Sequence, residues 1–245
     1  MGVGVRPSGR RGRLGRVDLQ NARVLVTGAT GGLGRPTVAR LAAAGARLAL
    51  TARDEARLAE LAGSLGNEPP LVVPADLTLP DQPQAVVDAA VEHLGALDVV
   101  VHLAGASGFA SVGTEDDDAL DELLLIDYLA PVRLLRAALP ALRETKGTAL
   151  VVTAVLAEGP VAGMAAYGAA KAALSSYVGA AAKELRRSGV RVVDARPPHT
   201  ETGLADRPLT GTAPKLPHGK HPDDVAARLV QALVDDEREV PSTAF

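Results

Sequence analysis

The sequence predicts a single α/β domain, in which a doubly wound parallel β-sheet carries helices on both faces. Short apolar runs alternate with helical segments along most of the chain. These runs are continuously apolar, which is typical of parallel strands buried on both faces. With 245 residues, 47% of them hydrophobic, the chain is long enough for one sizeable core. In sheets of this kind, ligands bind beyond the carboxyl ends of the strands.

The predicted elements follow one another in a regular order. Helices are expected between the strands, the first from about Gly34 to Ala44. Asp54 is a good N-cap for the second helix. Asp81 and Gln84 have the spacing of a capping box at the start of the third. The six runs predicted as strands are ARVLVTG, ARLALTAR, LVVPADL, LDVVVHLAG, GTALVVTA and VRVVDARP.

Two later helical segments differ from the others in composition. The segment LDELLLIDYLAPVRLLRAALPAL is apolar on almost every side, so we expect it to be buried all round. The segment GMAAYGAAKAALSSYVGAAAKEL is dense in Ala, Gly and Ser, which allows another backbone to come close. We predict that this pair, at about 119–142 and 163–185, forms the subunit interface of a homodimer or homotetramer. Packing inside one subunit is the alternative.

Composition excludes several classes of partner. The net charge of −3 gives no reason to expect nucleic acid or an anionic membrane as partner, and no apolar run approaches the roughly 20 residues of a membrane helix. The chain has no cysteine, so disulfides and thiolate metal sites are excluded, and no metal site is expected. Residues 1–20 are basic without an apolar segment, and we interpret them as a disordered Arg-rich leader before a domain at 21–245, with a nucleic-acid arm as the alternative. A cytoplasmic protein is expected.

A glycine-rich stretch, TGATGGLG, lies between the first strand and its helix. Gly28, Gly32 and Gly34 allow a tight turn and a close approach of the backbone to a pyrophosphate. The helix start behind them directs free N–H groups at the phosphates. The stretch therefore predicts a nucleotide site, with glycines that serve packing alone as the alternative.

A tyrosine and a lysine, Tyr167 and Lys171, lie one helical turn apart and share one face of their helix. A tyrosine that gives or takes a proton near neutral pH needs a pKa below its ordinary value of about 10. An adjacent ammonium favours the phenolate, so we expect Lys171 to lower the pKa of Tyr167. The alternative is a core tyrosine beside a surface lysine.

These motifs together, with LAG at Leu103–Gly105, resemble those of the short-chain dehydrogenase/reductases, and the resemblance runs from about Val24 to Val240. It implies a Rossmann-type fold with a nicotinamide cofactor, and catalysis by Tyr167 and Lys171, the lysine also holding the nicotinamide ribose. The cofactor-binding residues that it implies are Gly28, Thr30, Gly31, Gly32, Leu33, Gly34, Asp76, Leu77, Ala104, Gly105, Tyr167, Lys171, Pro197 and Thr200.

The end of the second strand decides which cofactor is predicted. An NAD site places an acid there to hold the ribose hydroxyls. Here the position reads Thr51-Ala52-Arg53, with no acid until Asp54. Arg53 can instead make a charge-assisted bond to a 2′-phosphate, so the sequence predicts NADP. The alternative for Arg53 is a solvated arginine beside the helix start.

The sequence departs from the family pattern at several site positions. The family's carbonyl-polarising serine is replaced by Ala154, and the neighbouring Thr153 is expected to point to the opposite face of its strand. The family's active-site asparagine aligns with Asp127, which we therefore also expect to be catalytic, and the usual Asn-Asn reads His102-Leu103.

The loop after the sixth strand departs as well, with Pro197-Pro198 where the family has Pro-Gly. His199 and Glu201 follow on the loop that in this family closes over the substrate. Either residue could replace the missing group as acid or base, with a solvated loop residue as the alternative. A substrate lid is expected at about 199–220.

Two functional hypotheses remain open from the sequence. The first is an NADP(H)-dependent oxidoreductase acting on a carbonyl or hydroxyl group of a small, fairly apolar molecule. The second is a non-redox enzyme of the same fold, an isomerase, cyclase or dehydratase, or an NADP-binding sensor protein. Tyr167 and Lys171 favour chemistry, whereas Ala154 and Asp127 argue against ordinary reduction.

Overall fold

A computed structural model describes residues 17–66 and 69–245. Within these ranges the strands form one seven-stranded sheet in the order β3-β2-β1-β4-β5-β6-β7, and every pairing is parallel. The strands are β1 Arg23–Thr27, β2 Arg47–Ala52, β3 Leu71–Pro74, β4 Val99–His102, β5 Thr148–Val152, β6 Arg191–Ala195 and β7 Glu239–Val240. The α-helices are α1 Gly34–Ala43, α2 Glu55–Gly63, α3 Gln82–Leu94, α4 Asp117–Leu124, α5 Ala130–Thr145, α6 Ala165–Leu185 and α7 Pro222–Val234.

Helices cover both faces of this sheet. Leu25 of β1 faces a core formed with α3, α5 and α6. Its neighbours Val24 and Val26 face the other core, which α1, α2 and α7 complete. This alternation is the period of two expected for a strand that is buried on both sides. The predicted fold class, a doubly wound parallel sheet flanked by helices on both faces, is confirmed.

The N-terminal boundary of the fold lies earlier than predicted. Residues 1–16 of the predicted leader lie outside the described residues. Leu19, however, is 7% exposed and packs in the core beneath α1 and α7. The backbone N–H of Asn21 donates to Gly45 O, which fastens this segment beside β2. The ordered domain therefore includes residues that precede position 21.

Of the two helix starts predicted from capping residues, one is confirmed and the other is wrong. Asp54 caps α2 as predicted, because its side chain accepts from Arg57 N at 3.0 Å. The capping box predicted at the start of α3 is wrong. Asp81 is in helical conformation and its side chain makes no cap bond, while Gln84 donates to Asp88. An N-cap side chain reaches the first N–H groups from an extended backbone, which Asp81 lacks.

The segment predicted as one uniformly apolar helix is neither uniform nor a single α-helix. A π-helical turn, Leu125–Leu129, separates α4 from α5. On α5, Leu134 and Ala138 face the core, while Arg136 and Arg143 are exposed. The prediction of burial all round is therefore wrong, and α5 is amphipathic. Among the described helices, none is both long and apolar enough to cross a bilayer.

Candidate active site

The carboxyl ends of four adjacent strands, β1, β4, β5 and β6, form the edge at which the predicted site residues meet. The glycine-rich loop follows β1, and His102 is the last residue of β4. Ala154 follows β5 and Pro197 follows β6. Parallel strands carry their ligand sites at this edge, so the topology places the cradle and the chemical residues side by side.

The glycine-rich loop is folded so tightly that three of its glycines, Gly28, Gly32 and Gly34, leave no room for a side chain. Gly28 has φ +68°, and a Cβ there would lie 2.5 Å from Ala104 N. A Cβ on Gly34 would collide with Gly28 O. Gly31 is exposed at the crest of the loop, and α1 begins directly behind it with no acid in its first turn. An exposed loop at an unopposed helix N-terminus fits the diphosphate of a nucleotide.

Two arginines lie near this loop, of which only Arg53 is predicted from the sequence. Arg53 is exposed at the end of β2. Arg57, in the first turn of α2, reaches across to the loop, where its Nη2 donates to Thr30 O at 3.0 Å. Its position one helical turn after Arg53 is a signal that could have identified it. Both arginines place positive charge between the end of β2 and the first turn of α2.

The loop after β6 touches the cradle through a residue that is not among those predicted. A Cβ on Gly32 would lie 2.5 Å from Thr202 Cβ, so Thr202 packs against the cradle. Thr200, the predicted cofactor residue, instead donates its hydroxyl to Pro198 O at 2.9 Å. Pro197 is buried, and its carbonyl accepts from Val155 N, which ties this loop to the turn after β5.

The residues predicted to contact adenine are engaged within the protein. Asp76 Oδ1 accepts from both the backbone N–H and the hydroxyl of Thr78, at 3.0 and 2.7 Å. Leu77 is 8% exposed and packs in the core beneath α3. Asp76 therefore offers its other carboxylate oxygen and its backbone to a ligand, and Leu77 chiefly its backbone.

Tyr167 and Lys171 share one face of α6 as predicted, with the lysine Nζ 6.0 Å from the tyrosine ring centroid. The lysine has a partner that the sequence does not reveal, because Asp127 Oδ1 lies 2.9 Å from Nζ. Both side chains are buried, and Asp127 is carried inward by the π-helical turn between α4 and α5. The same oxygen accepts from Ala106 N at 3.2 Å.

The predicted lowering of the Tyr167 pKa is wrong. Burial, and then the nearby Asp127, raise the pKa of Tyr167 well above its ordinary value. Burial disfavours a phenolate, and a neighbouring carboxylate repels it. The expectation fails chiefly because Tyr167 is buried, and also because Lys171 is paired with the carboxylate of Asp127. Burial also raises the pKa of Asp127, against the opposing effect of Lys171.

Ala154 lies in apolar surroundings where the family pattern has a hydroxyl. It is 8% exposed and clusters with Phe109, Leu156 and Met164, against which Tyr167 packs. The adjacent Thr153 is buried and donates to Asp194 Oδ1 at 2.6 Å. The hydroxyl of Thr153 is thus engaged at Asp194, which supports the expectation that Thr153 is a poor substitute for the missing hydroxyl.

His102 is a buried neutral histidine. It is 1% exposed, and its Nδ1 lies 2.7 Å from Thr27 Oγ1. Burial, and then the charge of Lys171, lower its pKa from 6.5 to about 3. Its Nε2 and the second oxygen of Asp127 are buried atoms without a hydrogen-bond partner among the described residues.

His199 and Glu201 are engaged in the lid. Glu201 Oε1 accepts from Gly219 N at 2.7 Å, and it lies 3.6 Å from His199 Nε2 and 3.5 Å from His218 Nδ1. Thr200 and Lys220 form an isolated bridge, so the two ends of the lid are joined. These contacts indicate that both residues help to hold the two ends of the lid together. They give no sign that either residue replaces the missing hydroxyl.

The lid is docked on the loop that follows β4. Leu209 N donates to Ser107 O and Phe109 N donates to Thr210 O. A cleft of about 630 Å³ lies along the lid, with Ala205, Ala213 and Leu216 in its lining. The same three residues pack against the cluster around Ala154, so the cleft adjoins the apolar surroundings of Tyr167. Across residues 17–66 and 69–245, no group of His, Asp or Glu side chains is arranged to hold a metal ion.

Comparisons with known proteins agree with this geometry. A family model described as short chain dehydrogenase matches residues 22–210. The chain is 36% identical over 180 residues to a hydroxysteroid 11-beta-dehydrogenase 1-like protein of Macaca fascicularis, covering 71% of this chain and 62% of that protein. It is 33% identical over 187 residues to an uncharacterized oxidoreductase of Staphylococcus epidermidis, covering 76% of this chain and 79% of that protein. The chain thus spans about three fifths of the length of the macaque relative.

Solved structures show the same fold. A short-chain dehydrogenase from Streptomyces avermitilis superimposes with a TM-score of 0.80 at 24% identity, covering 91% of this chain and 90% of that one. An alcohol dehydrogenase from Thermococcus sibiricus, complexed with 5-hydroxy-NADP, gives 0.79 at 26% identity, covering 90% of this chain and 94% of that one. With the family model spanning well over half of its residues, the chain belongs to the short-chain dehydrogenase family.

Proposed function

We propose that the protein is an NADP(H)-dependent oxidoreductase that acts on a carbonyl or hydroxyl group of a small, fairly apolar molecule. The observation that carries the proposal is the position of Tyr167. It packs against the apolar cluster at the lid and lies one helical turn from Lys171, at the strand edge that carries the glycine-rich loop. The relatives named as dehydrogenases and oxidoreductases support this class of reaction.

The residues of the chain supply proton transfer and orientation. A bound nicotinamide cofactor supplies or accepts the hydride. The Tyr167 hydroxyl donates a proton to the substrate oxygen in reduction. The apolar cluster of Phe109, Leu156 and Met164 excludes water from the reacting oxygen, which strengthens the interaction with the hydroxyl.

The preference for NADP rests on the charges at the end of β2. Arg53 is exposed there and Asp54, the first acid, is occupied as the N-cap of α2. Arg57 lies against the glycine-rich loop and adds a second guanidinium. A 2′-phosphate would meet two cations at this position, where the first acid, Asp54, has one carboxylate oxygen bonded to Arg57 N. The Thermococcus sibiricus structure, complexed with 5-hydroxy-NADP, supports the same choice.

Ala154 favours a second candidate, a non-redox reaction or a sensor role on the same scaffold. A methyl group cannot donate a hydrogen bond to an oxygen that gains negative charge. The surroundings of Ala154 are apolar, and Thr153 is engaged with Asp194. Ordinary reduction would therefore proceed with the Tyr167 hydroxyl of α6 as the donor and without one from residue 154.

Incubation with NADPH and a panel of apolar ketones and quinones tests the proposal. We expect the absorbance of NADPH to fall in step with the appearance of the alcohol. The matched control for a Tyr167→Phe variant in this assay is Tyr177→Phe. Tyr177 lies on the same helix and packs edge-on against Tyr128, away from the cleft. Conversion of a substrate without net change in cofactor absorbance would establish the non-redox candidate, and binding of NADPH without conversion of any substrate would favour the sensor.

A further inference from the structure

The site contains a buried ion pair that the proton transfer just described does not use. Lys171 Nζ lies 2.9 Å from Asp127 Oδ1, with side-chain exposures of 5% and 0%. The pair has a net charge of zero whichever partner carries the proton. A single ammonium beside Tyr167 would stabilise its phenolate, but a neutral pair has little such effect. Asp127 therefore opposes the influence of Lys171 on the tyrosine.

The local structure holds Asp127 in this place. The π-helical turn Leu125–Leu129 turns it inward, and Ala106 N donates to the oxygen that faces Lys171. A Cβ on Gly105 would lie 2.8 Å from that oxygen and 3.1 Å from the lysine Nζ. The backbone passes over the ion pair at Gly105, where only glycine leaves room for the pair. Such turns often occur at functional sites.

Among the titratable groups around Tyr167, Asp127 is the one whose charge most affects the tyrosine. His102, at the end of β4, is neutral above a pKa of about 3. Asp194, on β6, is held by Thr153 and Ser175. On the lid side, Glu201 is bonded to Gly219 and lies against His199 and His218. Besides burial, the carboxylate of Asp127 is what raises the pKa of Tyr167.

We propose that Asp127 is a positioning residue for proton transfer, which holds Lys171 in place, cancels its charge and thereby keeps the Tyr167 hydroxyl protonated as a proton donor. The site is then set to reduce a carbonyl group over the neutral and alkaline range, and oxidation of the alcohol requires strongly alkaline conditions. The role of Asp127 in proton transfer rests on the proposed oxidoreductase function. Its effect on the ionisation of Tyr167 can be measured without that function.

Ultraviolet difference titration of the phenol measures the effect directly, without cofactor or substrate. The chain has three tyrosines, and subtraction of the titration of Tyr167→Phe isolates Tyr167. In Asp127→Asn, recorded against Asp127→Asn/Tyr167→Phe, we expect Tyr167 to ionise about one to three pH units lower than in the unmodified protein. The double variant Asp127→Asn/Lys171→Met is recorded against the same variant with Tyr167→Phe added. In it, the ionisation of Tyr167 should return to higher pH, because the ammonium of Lys171 has been removed.

The control is Asp194→Asn, which removes another buried acid and should leave the Tyr167 ionisation in place. Asp127→Ser removes the same charge with a smaller side chain and serves if the Asn variant does not fold. An ionisation at unchanged or higher pH in the folded Asp127 variant overturns the proposal.

Activity gives a separate outcome. If the protein reduces a carbonyl compound, the alkaline limit of its rate should fall with Asp127→Asn by the same interval as the phenol titration. If no substrate is reduced, the proposed function fails, while the phenol titration still decides the role of Asp127.

Discussion

The hydroxyl of Thr153 donates to the carboxylate of Asp194 over 2.6 Å, so the hydroxyl nearest in sequence to Ala154 is engaged within the protein. Ser175 binds the other oxygen of Asp194 at 2.6 Å, which fixes the arrangement from α6. The site thus has a methyl group at Ala154 where a second donor to the substrate oxygen could be.

Restoring that donor should accelerate reduction. Removal of one such donor typically slows chemistry by about 10²–10³-fold, so we expect Ala154→Ser to raise single-turnover hydride transfer by about tenfold or more. NADPH affinity should stay unchanged, because the new hydroxyl acts on the substrate oxygen. Ala157→Ser, at a partly exposed position of the following turn, is the control. If the rate does not rise, ordinary reduction aided by two hydroxyl donors is not the chemistry of this site.

Cofactor choice should depend on Arg53. Its loss removes a charge-assisted bond worth about 1.5–3 kcal/mol, so Arg53→Ala should weaken NADPH and leave NADH nearly unchanged by calorimetry. Arg57→Ala should weaken both cofactors, because Arg57 also supports the glycine-rich loop at Thr30. Arg136→Ala, on the exposed face of α5, is the control. Equal losses of NADPH and NADH in Arg53→Ala would contradict the NADP assignment.

Stability should fall on acidification because of His102. Its pKa is about 3 in the folded protein against an ordinary 6.5, so between these values the unfolded chain binds a proton that the folded one does not. The free energy of unfolding from this group is fully present above pH 6.5 and declines as the pH falls towards 3, by up to about 1.4 kcal/mol per unit.

Urea unfolding between pH 4 and pH 8 (roughly the range of histidine titration) checks this slope. His102→Asn, which can keep a bond to Thr27, should flatten it, whereas His93→Gln at an exposed position should not. An equal slope in both variants would show that His102 does not control this pH dependence.

Assembly remains a prediction, and the structure changes how to test it. Leu134 is 1% and Ala181 is 9% exposed within one subunit, so a charge at either should disturb folding rather than association. The outward face of α6 carries Ala172 and Ala180, which are exposed. We expect a dimer or tetramer by light scattering, and Ala172→Arg should dissociate it with unchanged circular dichroism. A monomer at micromolar concentration (roughly the working range of oligomeric enzymes) would contradict the prediction.

Most of the fold could be predicted from local patterns in the sequence. Continuous apolar runs predict the first six strands, and the two-residue β7 is too short to leave such a pattern. The glycine-rich loop could be predicted because Gly28 and Gly34 occupy places that no side chain can fill. The apolar segment around α5 was misjudged because Arg136 and Arg143 give that helix an exposed polar face.

The electrostatics of the site could not be predicted from spacing. Asp127 and Lys171 are distant in sequence, and their pairing depends on how α6 packs against the π-helical turn. The pKa of Tyr167 is raised by burial and then by the charge of Asp127, whereas the one-turn spacing from Lys171 had predicted that it would be lowered. Arg57 and Thr202 are near predicted residues in sequence, but their contacts depend on the tertiary structure.

The central claim, that Tyr167 donates the proton in an NADPH-dependent reduction, is tested most directly by single-turnover hydride transfer from NADPH in Tyr167→Phe. General acid catalysis contributes about 10²–10⁴-fold, so we predict a loss of that size, with NADPH affinity retained. The Tyr177→Phe variant should match the unmodified protein. Hydride transfer at an undiminished rate in Tyr167→Phe, with a substrate that the unmodified protein reduces, would contradict the claim.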